Sequence, residues 1–249
     1  MVILTTIKGY RTHELRTMVE SLQNCGYNGI KAAIVYELED GVIEYLKSFG
    51  WKLYFRELKE TLVVQRFKDY YEVLKEHYSE YDGSVLLIDS RDTYFHKNPN
   101  IWVLKNDYEF YIGRDGLYSL ENHNWATKEM MKMYPNDYHP IKDKHHLNAG
   151  IMIGKIKSII PFLKIIYDYT FKSKLYDKNN PTKSTTSDQM AVNIITYKTF
   201  ILPEDESDLV INLGSTDWNG NKEYYIYHQY DRFENFWKTI NHNLKNILF

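Results

Sequence analysis

Apolar positions over the first ninety residues alternate between two periods. Residues 2–7 form a short β-rich run that stops at Lys8-Gly9, and residues 12–24 then carry Leu15, Met18, Val19 and Leu22 at helical spacing. The pair repeats, with an apolar run at 30–36, a helical pattern at 41–49 through Val42, Ile43 and Leu46, and a third strand at 51–55. A longer helix is predicted at 63–78, with Phe67, Tyr70, Tyr71 and Leu74 on one face, followed by the unbroken apolar run 84–88. Alternating β and α segments predict an α/β fold, a mostly parallel sheet with helices on both faces. An unbroken apolar run marks a strand covered on both sides.

The second half is less regular. Strands are predicted at 108–112 and 151–154, helices at 156–171 and 187–197, a loop rich in Asn, Lys, Thr and Ser at 178–187, and a closing helix at 233–248. No linker rich in Pro, Gly or Ser divides the chain and no internal repeat is evident, so one domain is expected.

Composition narrows the function classes. At 249 residues the chain can bury one sizeable core. Its 31 basic and 33 acidic residues give a net charge of -2 with no basic stripe, which argues against a nucleic-acid partner held by phosphate neutralisation. Cys25 is the only cysteine, which excludes an internal disulfide and a multi-cysteine zinc site. No run approaches the roughly 18 apolar residues of a membrane span, and the first residues lack a basic region and a small-residue cleavage site. No transmembrane segment and a cytoplasmic location are therefore expected.

Candidate chemistry begins where the strand at 84–88 runs into Asp89-Ser90-Arg91-Asp92. Ligands of open α/β sheets bind beyond the carboxyl ends of the strands. Two carboxylates there can hold a hard divalent cation such as Mn²⁺ or Mg²⁺, although acid-rich turns also cap helices and close hairpins. The run from Val85 through Asp89-Ser90-Arg91-Asp92-Thr93-Tyr94-Phe95 to Asn98-Pro99 resembles the DxD region of GT-A glycosyltransferases, in a D-x-R-D form. Three further pieces follow in that superfamily's order. Asn148-Ala149-Gly150 resembles its N-[AS]-G strand, Asp188-Gln189 with Asn193 resembles its D-Q-x-x-x-N helix start, and Tyr227-His228 resembles the strand whose His completes the metal shell. The acids of the first piece stand three apart instead of two, which departs from the usual spacing.

The resemblance implies a GT-A type, Rossmann-like sheet with a smaller acceptor-side mixed sheet. The nucleotide-binding half would be 1–105, the sugar and acceptor half 106–232, and a C-terminal helix 233–249. It implies a metal-dependent transferase moving a sugar from a UDP- or GDP-linked donor, UDP favoured, to a hydroxyl of a glycan, glycolipid or protein. Asp92 would ligate the metal, Asp89 would contact the metal, its water or the donor ribose, and His228 would be a third ligand. Asp188 and Gln189 would be the catalytic residues. Asp188 would act as general base in an inverting enzyme, and either residue could steady an oxocarbenium-like state in a retaining one. Thr5, Thr6, Arg66, Ser90, Arg91, Asn148, Ala149 and Gly150 would bind the donor.

Most of these residues also have plainer readings. Asp188 opens a predicted helix and suits an N-cap or first-turn acid, His228 could hydrogen-bond backbone, and Arg66 on an amphipathic helix could face solvent. Arg114-Asp115-Gly116 reads as a turn before it reads as part of a sugar pocket. His145 and His146 are neighbours in an extended segment, so they point to opposite sides and cannot easily share one zinc ion. Two other functions use similar residues. A nucleotidyltransferase would carry a Gly-rich loop after the first strand, where Thr5 to Tyr10 has one Gly. A non-catalytic nucleotide- or carbohydrate-binding module would have lost acids that are present here.

Overall fold

A computed structural model describes residues 1–81, 83–106, 108–171, 179, 188–199, 207–213 and 223–232. The loop expected at 178–187, apart from Asn179 and Asp188 at its border, and the helix expected at 233–248 lie outside the described residues.

The first half follows the predicted alternation: β1 (Val2–Lys8), α1 (Thr12–Asn24), β2 (Ile30–Tyr36), α2 (Asp40–Ser48), β3 (Trp51–Phe55), α3 (Leu62–Glu76) and β4 (Ser84–Asp89). Then come β5 (Thr93–Phe95), α4 (Pro99–Lys105), β6 (Phe110–Ser119), α5 (Asn124–Met133), α6 (Pro135–Tyr138), β7 (His145–Lys155), α7 (Ile156–Phe171), α8 (Asp188–Thr199), β8 (Val210–Asn212) and β9 (Ile226–His228). The main sheet has six strands in the order β3-β2-β1-β4-β7-β6. Strands β3, β2, β1 and β4 are parallel, β7 runs antiparallel to β4, and β6 is antiparallel to β7.

The central parallel strands β1 and β4 are buried on both faces because helices cover both, whereas the edge strand β3 is partly exposed. In β4, Val85 and Leu87 pack with Phe67, Tyr70 and Leu74 of α3 and with Phe162 and Leu163 of α7. Leu86 and Ile88 point the other way, toward Leu15, Met18 and Leu22 of α1. The period of two therefore assigns Asp89, next in the odd-numbered series, to the α3 side.

A second, three-stranded sheet has the order β5-β9-β8, with β9 antiparallel to β5 and parallel to β8. Its register pairs His228 with Thr93 on one side and with Asn212 on the other. This sheet carries the end of the Asp89-to-Asp92 turn and His228 to the same place.

Two expectations need correction. Arg114, Asp115 and Gly116 lie inside β6, not in a turn after it. Register shifts between Ile112, Arg114 and Ser119 interrupt the strand's alternation, and Gly116 sits there at φ 81, so the segment reads locally as a turn. The strand expected at 151–154 is longer, an eleven-residue β7 with Asn148, Ala149 and Gly150 in its middle.

Candidate metal centre and active site

The site lies at the carboxyl edge of β1 and β4. Three of its side chains converge: Asp89 at the end of β4, Asp92 just before β5, and His228 at the end of β9. The His228 Nε2 is 3.4 Å from Asp92 Oδ1 and 3.6 Å from Asp89 Oδ2. His228 is 1% exposed, and its Nε2 has no hydrogen-bond partner. On its other side Nδ1 lies 2.6 Å from the Asn212 Oδ1. An amide oxygen can only accept, so Nδ1 carries a proton and donates it. The Asn212 Nδ2 is in turn anchored on the Arg114 carbonyl. Asn212 thus orients the ring with Nε2 toward the two carboxylates, the outer-shell arrangement that metal-ligating histidines use.

Gly150 makes room for this cluster. A Cβ added there would lie 2.7 Å from both Asp89 Oδ2 and His228 Nε2, so any larger residue would intrude between the ligand atoms. The glycine at this position is required by close approach, since its backbone is ordinary extended strand. Asn148 serves the same segment, because its Oδ1 accepts from the Gly150 N–H at 2.8 Å. The orphaned imidazole nitrogen, the paired carboxylates and the vacated Cβ volume together fit a divalent cation with mixed O and N ligation.

A second group of charges adjoins the first. Arg66, in the first turns of α3, donates to Asp89 Oδ1 at 2.7 Å and to Asp188 Oδ2. It lies four residues before Tyr70 on the buried stripe of α3, which disposes of the solvent-facing reading. Asp188 opens α8 and accepts from the Gln189 N–H with Oδ1 at 2.9 Å, so it is a first-turn acid and an Arg66 partner at once. Asn193, one turn after Gln189, accepts from the Leu147 N–H and donates to the Leu147 carbonyl. This pair of bonds clamps α8 to β7 one residue before Asn148.

Burial and charge act in opposite directions here. Burial alone would raise Asp89, but Arg66 and His228 hold its carboxyl well below the usual range. Burial would lower His228, but Asp92 and Asp89 push it up to about 9. For Asp188 burial prevails over Arg66 and the carboxyl is raised. The Tyr10 hydroxyl is raised chiefly by burial, with Arg91, Asp89 and Asp92 close enough to contribute. Tyr10 and Asn212 were not singled out from the sequence. Asn212 sits in a run, 209–213, whose only strand signal is four apolar residues around it.

The other expected donor residues have partners within the protein. Thr5 is fully buried, its hydroxyl donating to the Ile88 carbonyl, and the Thr6 hydroxyl accepts from Tyr70. Ser90 donates to the Thr6 carbonyl, while the exposed Arg91 reaches Asp231 at 3.5 Å. Ala149 is buried in the core. Gln189 donates through Nε2 to Asp115 Oδ2 at 2.9 Å and lies 3.0 Å from the His146 Nε2. Comparison of the chain with protein-family models and with curated protein sequences gives no match. Among the described residues no helix is long and apolar enough to cross a membrane.

Proposed function

We propose that the chain is a metal-dependent glycosyltransferase that moves a sugar from a nucleotide diphosphate donor, UDP-linked by preference, to a hydroxyl of a glycan, glycolipid or protein. The observation that carries this reading is the buried, unpartnered His228 Nε2 facing Asp89 and Asp92 at the carboxyl edge of the sheet. Asp89, Asp92 and His228 would hold Mn²⁺ or Mg²⁺, and a divalent cation on the donor diphosphate neutralises charge developing on the leaving oxygen.

The chain's own residues supply the remainder. Arg66 fixes Asp89 and Asp188 on either side of its guanidinium, so both carboxylates stay in place without a substrate to order them. Both oxygens of Asp188 are engaged, by Arg66 and by the Gln189 N–H. With both oxygens engaged, Asp188 is suited to a held role facing the sugar centre, while burial raises its carboxyl toward the range of a proton acceptor. The partly buried Tyr10 offers a ring to the nucleobase next to the metal cluster.

Calorimetric binding of UDP and of GDP, each with Mn²⁺ and with EDTA, tests the reading. Binding of one nucleotide that disappears with EDTA supports it and names the base. A folded protein that binds neither overturns the UDP and GDP assignment.

A further inference from the structure

Asp115 in β6, His123 before α5 and His146 in β7 bring one oxygen and two ring nitrogens within 4.8 Å of one another. Asp115 is 6% exposed and His146 is fully buried. The two neighbouring histidines do point apart: His145 is half-buried with its carbonyl on the Tyr197 hydroxyl, and His146 faces the His123 ring at a centroid distance of 4.5 Å. We propose that Asp115, His123 and His146 form a second metal site, a three-ligand zinc site beside Gln189, independent of the glycosyltransferase reading.

The His146 Nδ1 is the decisive atom. It has no hydrogen-bond partner and lies 3.3 Å from the Asp115 Oδ2. Zinc bonds of about 2.0–2.1 Å in tetrahedral geometry separate adjacent ligand atoms by about 3.3–3.4 Å, so this pair already has the spacing of one tetrahedral edge. The buried His146 ring would bind a metal in its neutral form. At present its Nε2 faces the Gln189 amide as an acceptor, which leaves an Nδ1 proton without an acceptor. With zinc on Nδ1 the proton would sit on Nε2, so the Gln189 amide would have to turn away and give up its hydrogen bond to Asp115 Oδ2, the oxygen that then goes to the metal.

His123 closes the set from the solvent side. Its Nδ1 accepts a long 3.3 Å bond from the Ala126 N–H at the start of α5, which metal binding would sacrifice. Trp125, 47% exposed, packs at the same rings. Three protein ligands leave the fourth position to water.

The test is a titration of the full chain with Co²⁺, the spectroscopic substitute for zinc, followed by visible absorption and by competition with Zn²⁺. In an Asp92→Asn, His228→Gln double variant, which disables the other cluster, one equivalent of tetrahedral Co²⁺ displaced by Zn²⁺ is expected. His123→Gln, at a partly exposed position, should remove that equivalent without unfolding the chain. If the double variant fails to fold, wild type should bind one more equivalent than His123→Gln alone. No tetrahedral Co²⁺, or an equivalent that His123→Gln leaves in place, overturns the site. UDP binding plays no part in either outcome, so this proposal and the proposed function fail separately.

Discussion

Metal affinity at the Asp89–Asp92–His228 cluster should fall about tenfold for each pH unit below about 9. In the metal-free protein His228 is pushed up to about 9, because the two carboxylates outweigh the effect of burial. Its Nδ1 proton is committed to Asn212, so the proton that titrates sits on Nε2, the atom a metal needs. The folded-state pKa is raised, so the ring is protonated through neutral pH, and binding must expel that proton. Affinity therefore rises with pH and levels off above about 9. Asp89 stays ionised through this range, held low by Arg66 and His228, and adds no second proton. Lowering pH from 8 to 6 should cost about a hundredfold in affinity, or about 2.7 kcal/mol. Calorimetric Mn²⁺ titration at pH 6, 7 and 8, in two buffers of unlike ionisation enthalpy, measures both affinity and proton release. Equal affinity at pH 6 and 8 with no proton released would refute the reasoning.

Gly150→Ala should abolish Mn²⁺ binding and also lower the melting temperature, since the added Cβ collides with the ring of the buried His228 and with Asp89. Retained Mn²⁺ affinity in that variant would mean that the cation sits elsewhere. Arg66→Met leaves two carboxylates, one partly exposed and beside His228, next to an apolar side chain and should destabilise the fold by about 1–3 kcal/mol in urea denaturation. A further Asp188→Asn change should recover part of this loss, and a loss below about 1 kcal/mol would show that Arg66 does not hold the pair. Asp92→Ala should remove Mn²⁺-dependent nucleotide binding, whereas Asp188→Ala should bind nucleotide and lose turnover. Full activity of Asp92→Ala would place the metal on other residues.

Local signals account for much of the fold. The predicted helix at 156–171 matches α7 (Ile156–Phe171), and the apolar run 84–88 is β4 but for its last residue. Short-range effects set such elements: side-chain period, helix caps, and turns where the chain cannot continue. They also place Asp89 and Asp92 at a strand end, where a site was expected. The segment around Arg114 misled because β-bulges break the period on which the reading depends. Arg66 was in fact legible as buried, since it continues the stripe through Phe67, Tyr70 and Leu74, but a charged residue on that stripe gives no hint of its partners.

Those partners are a matter of tertiary structure. Arg66 meets Asp188 across 122 residues of chain, and Asp115 meets Gln189 across 74. Asn212 reaches His228 because β8 and β9 pair in parallel with those two residues in register. The sequence by itself determined the β/α order and the acids at the end of the fourth strand, because each depends on neighbours along the chain. Only the folded sheet order decided which strand ends lie side by side. With that came the tautomer of His228, the space that Gly150 leaves, and the meeting of His146 with Asp115 and His123, which depend on distances between elements remote in sequence.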